Sequence, residues 1–190
     1  EIWDIQLVKL GNQIHQVRAE FLQSFIPIFQ RFYNEIAVKD ENVKIEYKSQ
    51  LSNSVFSELL KEYHKKDSYT QYSNVGTHKD DLIFTIKDHP IKKFGSQGQQ
   101  KSFIIALRLA QFDWLKTMKE TNPILLLDDI FDKLDHERVQ KLVSLVTTDF
   151  FGQVIISDTD KERMVKLLKS LSISSKLFET ENGTIKEISI

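Results

Sequence analysis

Two adjacent carboxylates, Asp128 and Asp129, directly follow the apolar run from Ile124 to Leu127. Four successive apolar residues predict a short strand that is buried on both faces of a parallel sheet. At the carboxyl end of such a strand, one carboxylate can hold Mg²⁺ and the other can orient or deprotonate a water molecule. A structural alternative stays open, in which Asp129 caps a helix or pairs with a lysine.

A second group of small and polar residues, Gly95-Ser96-Gln97-Gly98-Gln99, lies where a loop leads into a predicted helix. Glycines let a backbone approach a ligand closely, and the free amides of a helix N-terminus favour phosphate. Ser96 adds a hydroxyl donor, so the segment predicts an anion-binding site. A serine cap followed by a glycine is also an ordinary way to begin a helix, and this alternative stays open too.

The elements around these residues alternate between helices and short apolar strands. The sequence predicts helices over 99–119, 136–146 and 161–168, strands over 124–127 and 154–156, and a final hairpin that turns at Asn182-Gly183. This order predicts an α/β domain with a parallel sheet and flanking helices.

The amino-terminal region predicts one long amphipathic helix, because apolar residues recur at intervals of three and four from Trp3 to Ile36. Pro27 predicts a kink or break inside it, since its ring clashes with the preceding turn. Two interpretations are open: a core helix of a bundle, or one strand of a coiled-coil arm whose other half is absent.

The pattern between this helix and residue 95 is less specific. It predicts an edge strand over 43–47, a helix over 54–65 that is opened by Asn53 or Ser54, and a hairpin that follows a strand over 82–86. Within this part, His78, Asp80 and Asp81 invite a metal-site interpretation. Adjacent carboxylates on a strand point to opposite faces, which favours a structural turn.

Composition limits the classes of function. The 190 residues include 26 Lys plus Arg and 27 Asp plus Glu, so any nucleic-acid contact must be a local patch. The absence of Cys excludes disulfides, thiolate metal sites and cysteine nucleophiles. Neither an apolar run of ~20 residues nor a leader is visible, which predicts a soluble, cytoplasmic protein with no membrane contact. Because Glu1 lies inside a helical pattern, the chain is expected to be a fragment of a longer protein.

Together these motifs resemble a known superfamily. A Ser-Gln-Gly helix start, about six helical turns, an apolar run ending in Asp-Asp and then Leu-Asp resemble the carboxyl-terminal half of an ATP-binding-cassette ATPase of the chromosome-maintenance (SMC) type. Within that superfamily the chain is similar to the RecF family of bacterial DNA replication and repair proteins. The residues that carry this similarity are those of segments 76–82, 94–101, 106–110 and 124–129, with a weaker match at Trp3, Arg18, Ala19 and Glu20.

The resemblance implies a role for each matching residue. Asp128 matches the Walker B acid that supports Mg²⁺, and Asp129 stands where many relatives have a catalytic glutamate, which makes it the candidate base. The residues that match the cassette signature, which contacts the γ-phosphate of ATP held by the opposite protomer, are Gly95, Ser96, Gln97, Gly98 and Gln99.

Two further loops take their expected roles from the same resemblance. Leu134 and Asp135 match the loop that crosses the dimer interface. The position that commonly senses the γ-phosphate, after the strand at 154–156, offers Ser157, Asp158 and Thr159 instead of His, and the sensor is left unassigned.

At the level of the whole protein, the resemblance implies the carboxyl-terminal lobe of an ABC/SMC-like ATPase head, preceded by a helical arm segment. The expected domains are an arm helix over 1–38, the rest of the arm or lobe subdomain over 39–75, and the lobe with signature and Walker B over 76–190. ATP and Mg²⁺ are the expected cofactors of the intact protein. Its expected partners are a second copy, DNA at single/double-strand junctions and RecR, with RecA loaded indirectly during gap repair.

A Walker A phosphate cradle is not found in the sequence, because none of its six glycines is followed by Lys. The chain alone is therefore expected to be inactive as an ATPase. Two alternatives remain: a head fragment of another SMC or Rad50-type ATPase, and a non-enzymatic α/β interaction module in which the Asp-Asp and Ser-Gln-Gly residues are only caps.

Overall fold

Helices alternate with short strands along the chain. The computed structural model describes residues 2–129, 131–132, 134–171 and 174–188, so Glu1 lies outside the described residues. The helices are α1 (Ile2–Ile36), α2 (Phe56–Thr70), α3 (Ile91–Phe94), α4 (Gln97–Lys119), α5 (His136–Val146) and α6 (Lys161–Leu171). The strands are β1 (Val43–Lys48), β2 (Asp81–Ile86), β3 (His89–Pro90), β4 (Leu125–Leu127), β5 (Val154–Ile156), β6 (Leu177–Glu181) and β7 (Thr184–Ile188).

The chain forms two compact units that interleave along the sequence. Unit 1 comprises the residues up to Arg31 together with Glu41–Gly95, and unit 2 comprises Phe32–Asp40 and the residues from Ser96 onward. The division expected from the sequence, at residues 38 and 75, follows segments of the chain and stays a prediction.

The sheet of unit 1 is antiparallel, in the order β1-β2-β3. Val43 lies opposite Ile86, and Lys48 lies opposite Asp81. Burial alternates along β1, with Val43 and Ile45 buried and the lysine between them exposed, as the two-residue period of a half-buried strand requires. The predicted edge strand and the hairpin after it are both present.

Helix α2 shows where local sequence signals fail. The helix begins at Phe56 after Val55, which provides no side-chain cap, and it continues to Thr70. The predicted cap at Asn53 or Ser54 and the predicted end at residue 65 are therefore wrong. The physical reason is packing: Phe56 is 2% exposed and forms a small core with Leu51 and Val75, so tertiary burial sets the start of the helix.

Gly11 of α1 allows this core to approach the long helix. A Cβ atom at residue 11 would lie 2.4 Å from Cε1 of Phe56. Any larger residue would push the phenyl ring out of the cluster. The glycine therefore fixes how closely α1 and Phe56 pack.

Helix α1 has two parts that differ in burial. Most of its large apolar residues up to Phe21 are exposed, from 79% at Trp3 to 37% at Phe21, whereas most of those from Leu22 onward are buried. The helix is continuous through Pro27, so the predicted break does not occur. Pro27 is exposed while aromatic residues on both sides of it are buried, and their packing holds the helix across the missing hydrogen bond. Among the described residues, no helix has the length and apolarity to cross a bilayer.

Unit 2 contains the parallel pair β4-β5. Leu125 lies opposite Val154 and Leu127 opposite Ile156. The predicted helix over 136–146 and the predicted strand over 154–156 have the observed bounds. The predicted terminal hairpin is confirmed as well: β6 and β7 are joined by Asn182 and Gly183, both with positive φ, as a tight hairpin turn needs.

A core of aliphatic and aromatic side chains fills unit 2. The rings of Phe112 and Phe151 lie 5.1 Å apart, and that of Phe32 lies 6.0 Å from Phe151. Other fully buried members are Ala106, Leu109, Ala110, Leu142, Val143 and Val146.

Strand β4 differs from its prediction in one respect. Leu125 and Leu127 are buried, but Leu126 is 67% exposed, so burial on both faces is wrong for this chain. Ile155 on the neighbouring strand is also exposed, at 51%. One face of the parallel pair is therefore apolar and uncovered within the described residues.

The Gly-Thr-His-Lys-Asp-Asp segment forms a structural turn in unit 1, as expected. Gly76 has φ of 124°, which favours glycine, and Asp81 accepts a hydrogen bond from the Leu82 amide. Asp80 instead points to the helix α1, where Arg18 donates to its Oδ2 at 2.7 Å. Tyr47 of β1 donates to the same oxygen at 2.6 Å. The segment thereby ties the long helix to the sheet, and the two acids do not share a site.

Replacing Asp80 is expected to destabilise unit 1 in a pH-dependent way. Burial raises the pKa of the Asp80 carboxyl, but hydrogen bonds from Ser49, Tyr47 and Arg18 outweigh burial and leave the pKa below its ordinary value. The stabilisation is therefore present above the unfolded-state pKa and is lost as pH falls through the lowered pKa of the folded state. Asp80→Asn should lower the free energy of unfolding by about 2 kcal/mol at pH 7 and by less near pH 3. Urea unfolding at several pH values measures this.

Asp88→Asn is the matched control, because Asp88 pairs with Lys44 at the surface, where both side chains are more than half exposed. It should change stability little at any pH. Equal effects of the two substitutions would contradict the role assigned to Asp80.

Candidate functional site

The two acids predicted as the reaction centre lie at the carboxyl end of β4, in unit 2. Asp128 is exposed, and its Oδ1 accepts a short hydrogen bond from the hydroxyl of Ser157. Ser157 follows β5, and its amide donates to the Leu127 carbonyl at 3.0 Å. Parallel pairing of the two strands thus places Ser157 beside Asp128, with its hydroxyl on one of the two carboxylate oxygens.

Asp129 occupies a left-handed backbone conformation, with φ of 47°. This conformation is uncommon for residues other than glycine, and Asp is one of the few that tolerate it. Lys101 of α4 donates to the Asp129 carbonyl at 2.9 Å, which holds the turn. Among the described residues the Asp129 carboxylate itself neither caps a helix nor pairs with a lysine. Within that part of the chain, neither contact of the structural alternative is present, and the catalytic interpretation of Asp129 stays a prediction.

The loop after β5 is held by a bidentate ion pair. Arg163 of α6 donates through Nε to Oδ2 of Asp158 at 2.7 Å, and its second nitrogen contacts Oδ1. The side chain of Asp158 is completely buried, and the guanidinium also lies 4.8 Å from the ring centre of Phe131. This one arginine therefore joins the loop after β5 to the loop after Asp129.

The charges of this pair affect each other's protonation. The Arg163 hydrogen bonds hold the pKa of Asp158 below its ordinary value, against the effect of burial. In turn, Asp158 raises the pKa of Arg163, with smaller contributions from Asp160 and Asp129. Arg163 therefore keeps its positive charge at this edge of the sheet.

The signature segment begins α4 with a complete capping box. The Gln99 amide donates to Oγ of Ser96 at 3.2 Å, and the Ser96 amide donates to Oε1 of Gln99 at 2.8 Å. Ser96 and Gln97 are exposed. The ordinary cap is thus present, and it leaves the proton of the Ser96 hydroxyl available for a ligand.

The loop before α5 is built around Asp135. Its Oδ1 accepts from the Arg138 amide at 2.9 Å, which caps the helix, and its Oδ2 accepts from Nε of Arg138 at 3.1 Å. Leu134 is half-buried and Asp135 is exposed. Both residues predicted at a dimer interface therefore lie directly before α5, where Asp135 caps the helix and its side chain is 56% exposed.

The two acids alone would not complete the coordination shell of a Mg²⁺ ion, so waters and a bound phosphate substrate would have to supply further ligands. No group of three or more His, Asp or Glu side chains that could hold a metal occurs among the described residues. Mg²⁺ in phosphate-processing sites is usually held by one or two carboxylates, with waters and substrate phosphates completing its shell. An exposed Asp128 with one oxygen fixed by Ser157 suits that arrangement.

Several contacts at this site were missed by sequence reasoning. The Arg163 side chain carries no pattern of its own in the sequence, and the sequence identifies Ser157 and Asp158 only by their position after the strand at 154–156. The available signal was the position of Ser157 and Asp158 directly after β5. Because β5 lies beside β4 and adjacent parallel strands end at the same sheet edge, this position places these residues near Asp128. The Lys101 contact with a backbone carbonyl gives no signal in the sequence.

Comparison with known proteins points to one family. The DNA replication and repair protein RecF of Phocaeicola vulgatus is 44% identical over 187 residues, which cover 98% of this chain and 50% of that protein. RecF of Flavobacterium johnsoniae is 50% identical over 177 residues, or 93% of this chain and 49% of that protein. The chain is a RecF homologue. It spans about half the length of the curated relatives it matches. No family model matches it.

Solved structures agree with the RecF relationship at the level of the fold. The recombination mediator RecF bound to ATP is similar over 99% of this chain and 50% of that chain, with a TM-score of 0.70 and 22% identity. An SMC head bound to the C-terminal winged-helix domain of ScpA is similar over 98% and 49%, with a TM-score of 0.53 and 13% identity. The predicted fold class, an α/β lobe of an ABC/SMC-like head, is confirmed.

Arg163→Met is expected to loosen the loop after β5, because it leaves the buried Asp158 carboxylate without its cation. The free energy of unfolding should fall by about 2 kcal/mol. Amide hydrogen exchange at residues 157–160 should also become faster. Lys166→Met on the same helix is the control, since Lys166 and its partner Glu162 are both more than 80% exposed. Unchanged exchange in the Arg163 variant would rule out this role.

Proposed function

We propose that this chain supplies one half of a composite ATP site in a RecF-like DNA repair ATPase. One observation carries the proposal. The acids Asp128 and Asp129 lie at the exposed end of β4. Lys101, on the helix that Ser96 caps, donates a hydrogen bond to the Asp129 carbonyl. Acids for metal and water therefore belong to the same compact unit as a helix N-terminus that suits phosphate.

The two acids that follow β4 would act on the nucleotide bound by the same protomer. Asp128 would hold Mg²⁺, which neutralises phosphate charge when bound. Asp129 would orient or deprotonate the attacking water. Because Asp is one methylene shorter than the glutamate found in many relatives, slow turnover is expected. Arg163, fixed by Asp158, adds a positive charge near that acid.

The remaining parts are assigned to the opposite protomer. The segment Gly95-Ser96-Gln97-Gly98-Gln99 would contact the γ-phosphate of ATP held by a second copy, using the Ser96 hydroxyl and the free amides of α4. Leu134 and Asp135 would cross the dimer interface. Ser157, which follows β5, belongs instead with the acids of its own protomer, because its hydroxyl donates to Asp128.

Two features support a half-site. The sequence has no Walker A cradle, so the phosphates of a nucleotide bound in cis would need another segment. In addition, β4 and β5 expose Leu126 and Ile155, whereas parallel sheets are normally covered on both faces. A Walker A lobe such as the other half of a RecF protein would cover that apolar face.

At the level of the intact protein, we propose an ATP-dependent homodimer that acts on DNA in gap repair. The curated relatives are named DNA replication and repair proteins, and the similar solved RecF is described as a recombination mediator of the RecFOR pathway. More specifically, we propose that the intact protein binds single/double-strand junctions, has RecR as a partner and helps to load RecA. With a net charge of −1, the DNA contact would be a local basic patch.

A non-enzymatic interaction module is the second candidate. Ser96 and Asp135 do serve as helix caps, which is all that this candidate requires of them. It predicts that joining the chain to a RecF Walker A half creates neither ATP binding nor dimerisation.

The chain alone is expected to release no phosphate from ATP above background, with or without Mg²⁺, because it lacks a phosphate cradle. A phosphate-release assay on the 190-residue chain measures this. Asp129→Asn is the control for contamination. Magnesium-dependent hydrolysis that Asp129→Asn abolishes would overturn the half-site proposal.

In a full-length polypeptide that joins this chain to a Walker A half, mixing two inactive variants is expected to restore activity through mixed dimers. Ser96→Arg and Asp128→Asn should each abolish hydrolysis, because the first blocks the site in the partner and the second blocks its own site. An equal mixture should regain about a quarter of wild-type activity, since half of the dimers are mixed and each mixed dimer keeps one intact site.

Ser96→Thr retains the hydroxyl and the cap, and it should remain active on its own. A mixture with no activity at all would argue against a signature that works in trans. Phosphate release at matched total protein concentration distinguishes these results.

A further inference from the structure

Arg138 is a buried charge that joins two separate elements of unit 2. The residue is 5% exposed and lies in the first turn of α5. Its NH1 donates to the hydroxyl of Ser102 at 3.0 Å, and Ser102 on α4 is fully buried. Its Nε donates to Oδ2 of Asp135 at 3.1 Å. One guanidinium thus connects the helix that carries the signature to the loop before α5.

This connection is geometrically demanding. A guanidinium presents donors in a fixed planar fork, so Ser102 and Asp135 must keep their relative positions to be bound together. A buried cation that loses a partner is costly, which favours the bridged geometry over looser ones. Ser102 lies six residues after Ser96, within two turns of the start of α4. The bridge therefore reaches close to the signature itself.

We propose that Arg138 is a positioning residue that makes the signature helix and the loop at Leu134 and Asp135 move as one body. The inference rests on the proposed function, in which both elements act on the opposite protomer. Neither element contains the Walker B acids, which act on the nucleotide of their own protomer. Arg138 would therefore control how well the protomers fit each other, and would leave binding of ATP in cis unaffected.

Hydrogen exchange on the 190-residue chain tests the bridge without ATP. Ser102→Ala removes only the hydroxyl that accepts from Arg138, so the fold should persist. Amides at 134–138 and at the first two turns of α4 are expected to exchange faster together, while those of β4 and β5 stay unchanged. Arg138→Lys should give the same pattern, because an ammonium group does not have the geometry of the fork. Lys141→Met is the control: it lies one turn later on α5 and donates to the Ala37 carbonyl.

Dimerisation of the full-length polypeptide, which joins this chain to a Walker A half, tests the consequence. Ser102→Ala and Arg138→Lys should weaken ATP-dependent dimerisation roughly 10- to 100-fold, the range for a lost hydrogen bond to a charged group. ATP affinity of the monomer should equal that of the wild type, and Lys141→Met should match the wild type in both. Sedimentation velocity and binding of a fluorescent ATP analogue provide the two measurements.

Each outcome bears on a different statement. Unchanged exchange in both Ser102→Ala and Arg138→Lys overturns the bridge, and faster exchange throughout unit 2 reduces it to a general role in packing. Unchanged dimerisation, or an equal loss of ATP affinity, overturns the positioning role. A wild-type polypeptide that does not dimerise with ATP contradicts the proposed function instead, and the exchange data on the chain alone still decide the bridge.

Discussion

Parallel pairing of β4 with β5 is the constraint on which the candidate site depends. The pairing is only three residues long, yet it brings the ends of both strands to one edge. Asp128 and Ser157 then lie close enough to share a hydrogen bond, although they are 29 residues apart. Since parallel strands need a crossover helix, α5 and the loop at Asp135 follow from the same pairing. The acid pair, the loop after β5 and the loop before α5 are therefore consequences of one small sheet.

Buried or half-buried ion pairs hold the irregular segments around this framework. Arg163 fixes the loop after β5, Arg138 fixes the loop before α5, and Arg18 in the other unit fixes the turn at Asp80. In each case a planar guanidinium satisfies a carboxylate and at least one further group. Loops need such anchors because they lack the regular backbone hydrogen bonds of helices and strands. Within the described residues, arginine anchors three irregular segments in this way.

Much of the fold was predictable because its elements have clear local periodicity. The helix at 136–146, the strand at 154–156 and the hairpin at Asn182-Gly183 have the predicted positions, since apolar spacing and a two-residue turn specify them locally. The start of α2 was not predictable, because burial of Phe56 overrides the polar residues that usually cap helices. Exposure of Leu126 also differed from prediction: an uninterrupted apolar run indicates two covered faces, and the described residues cover only one.

The sequence by itself determined the chemistry available to this protein: the acids after an apolar run, the Ser-Gln-Gly helix start and their order along the chain. These are local features, and residue type with spacing is enough to identify them. Only the tertiary structure decided which side chains meet, such as Ser157 with Asp128, Lys101 with the Asp129 carbonyl and Arg138 with Ser102. Such contacts join residues that lie 28 to 36 positions apart. They arise from packing of whole elements, which no spacing rule along the chain encodes.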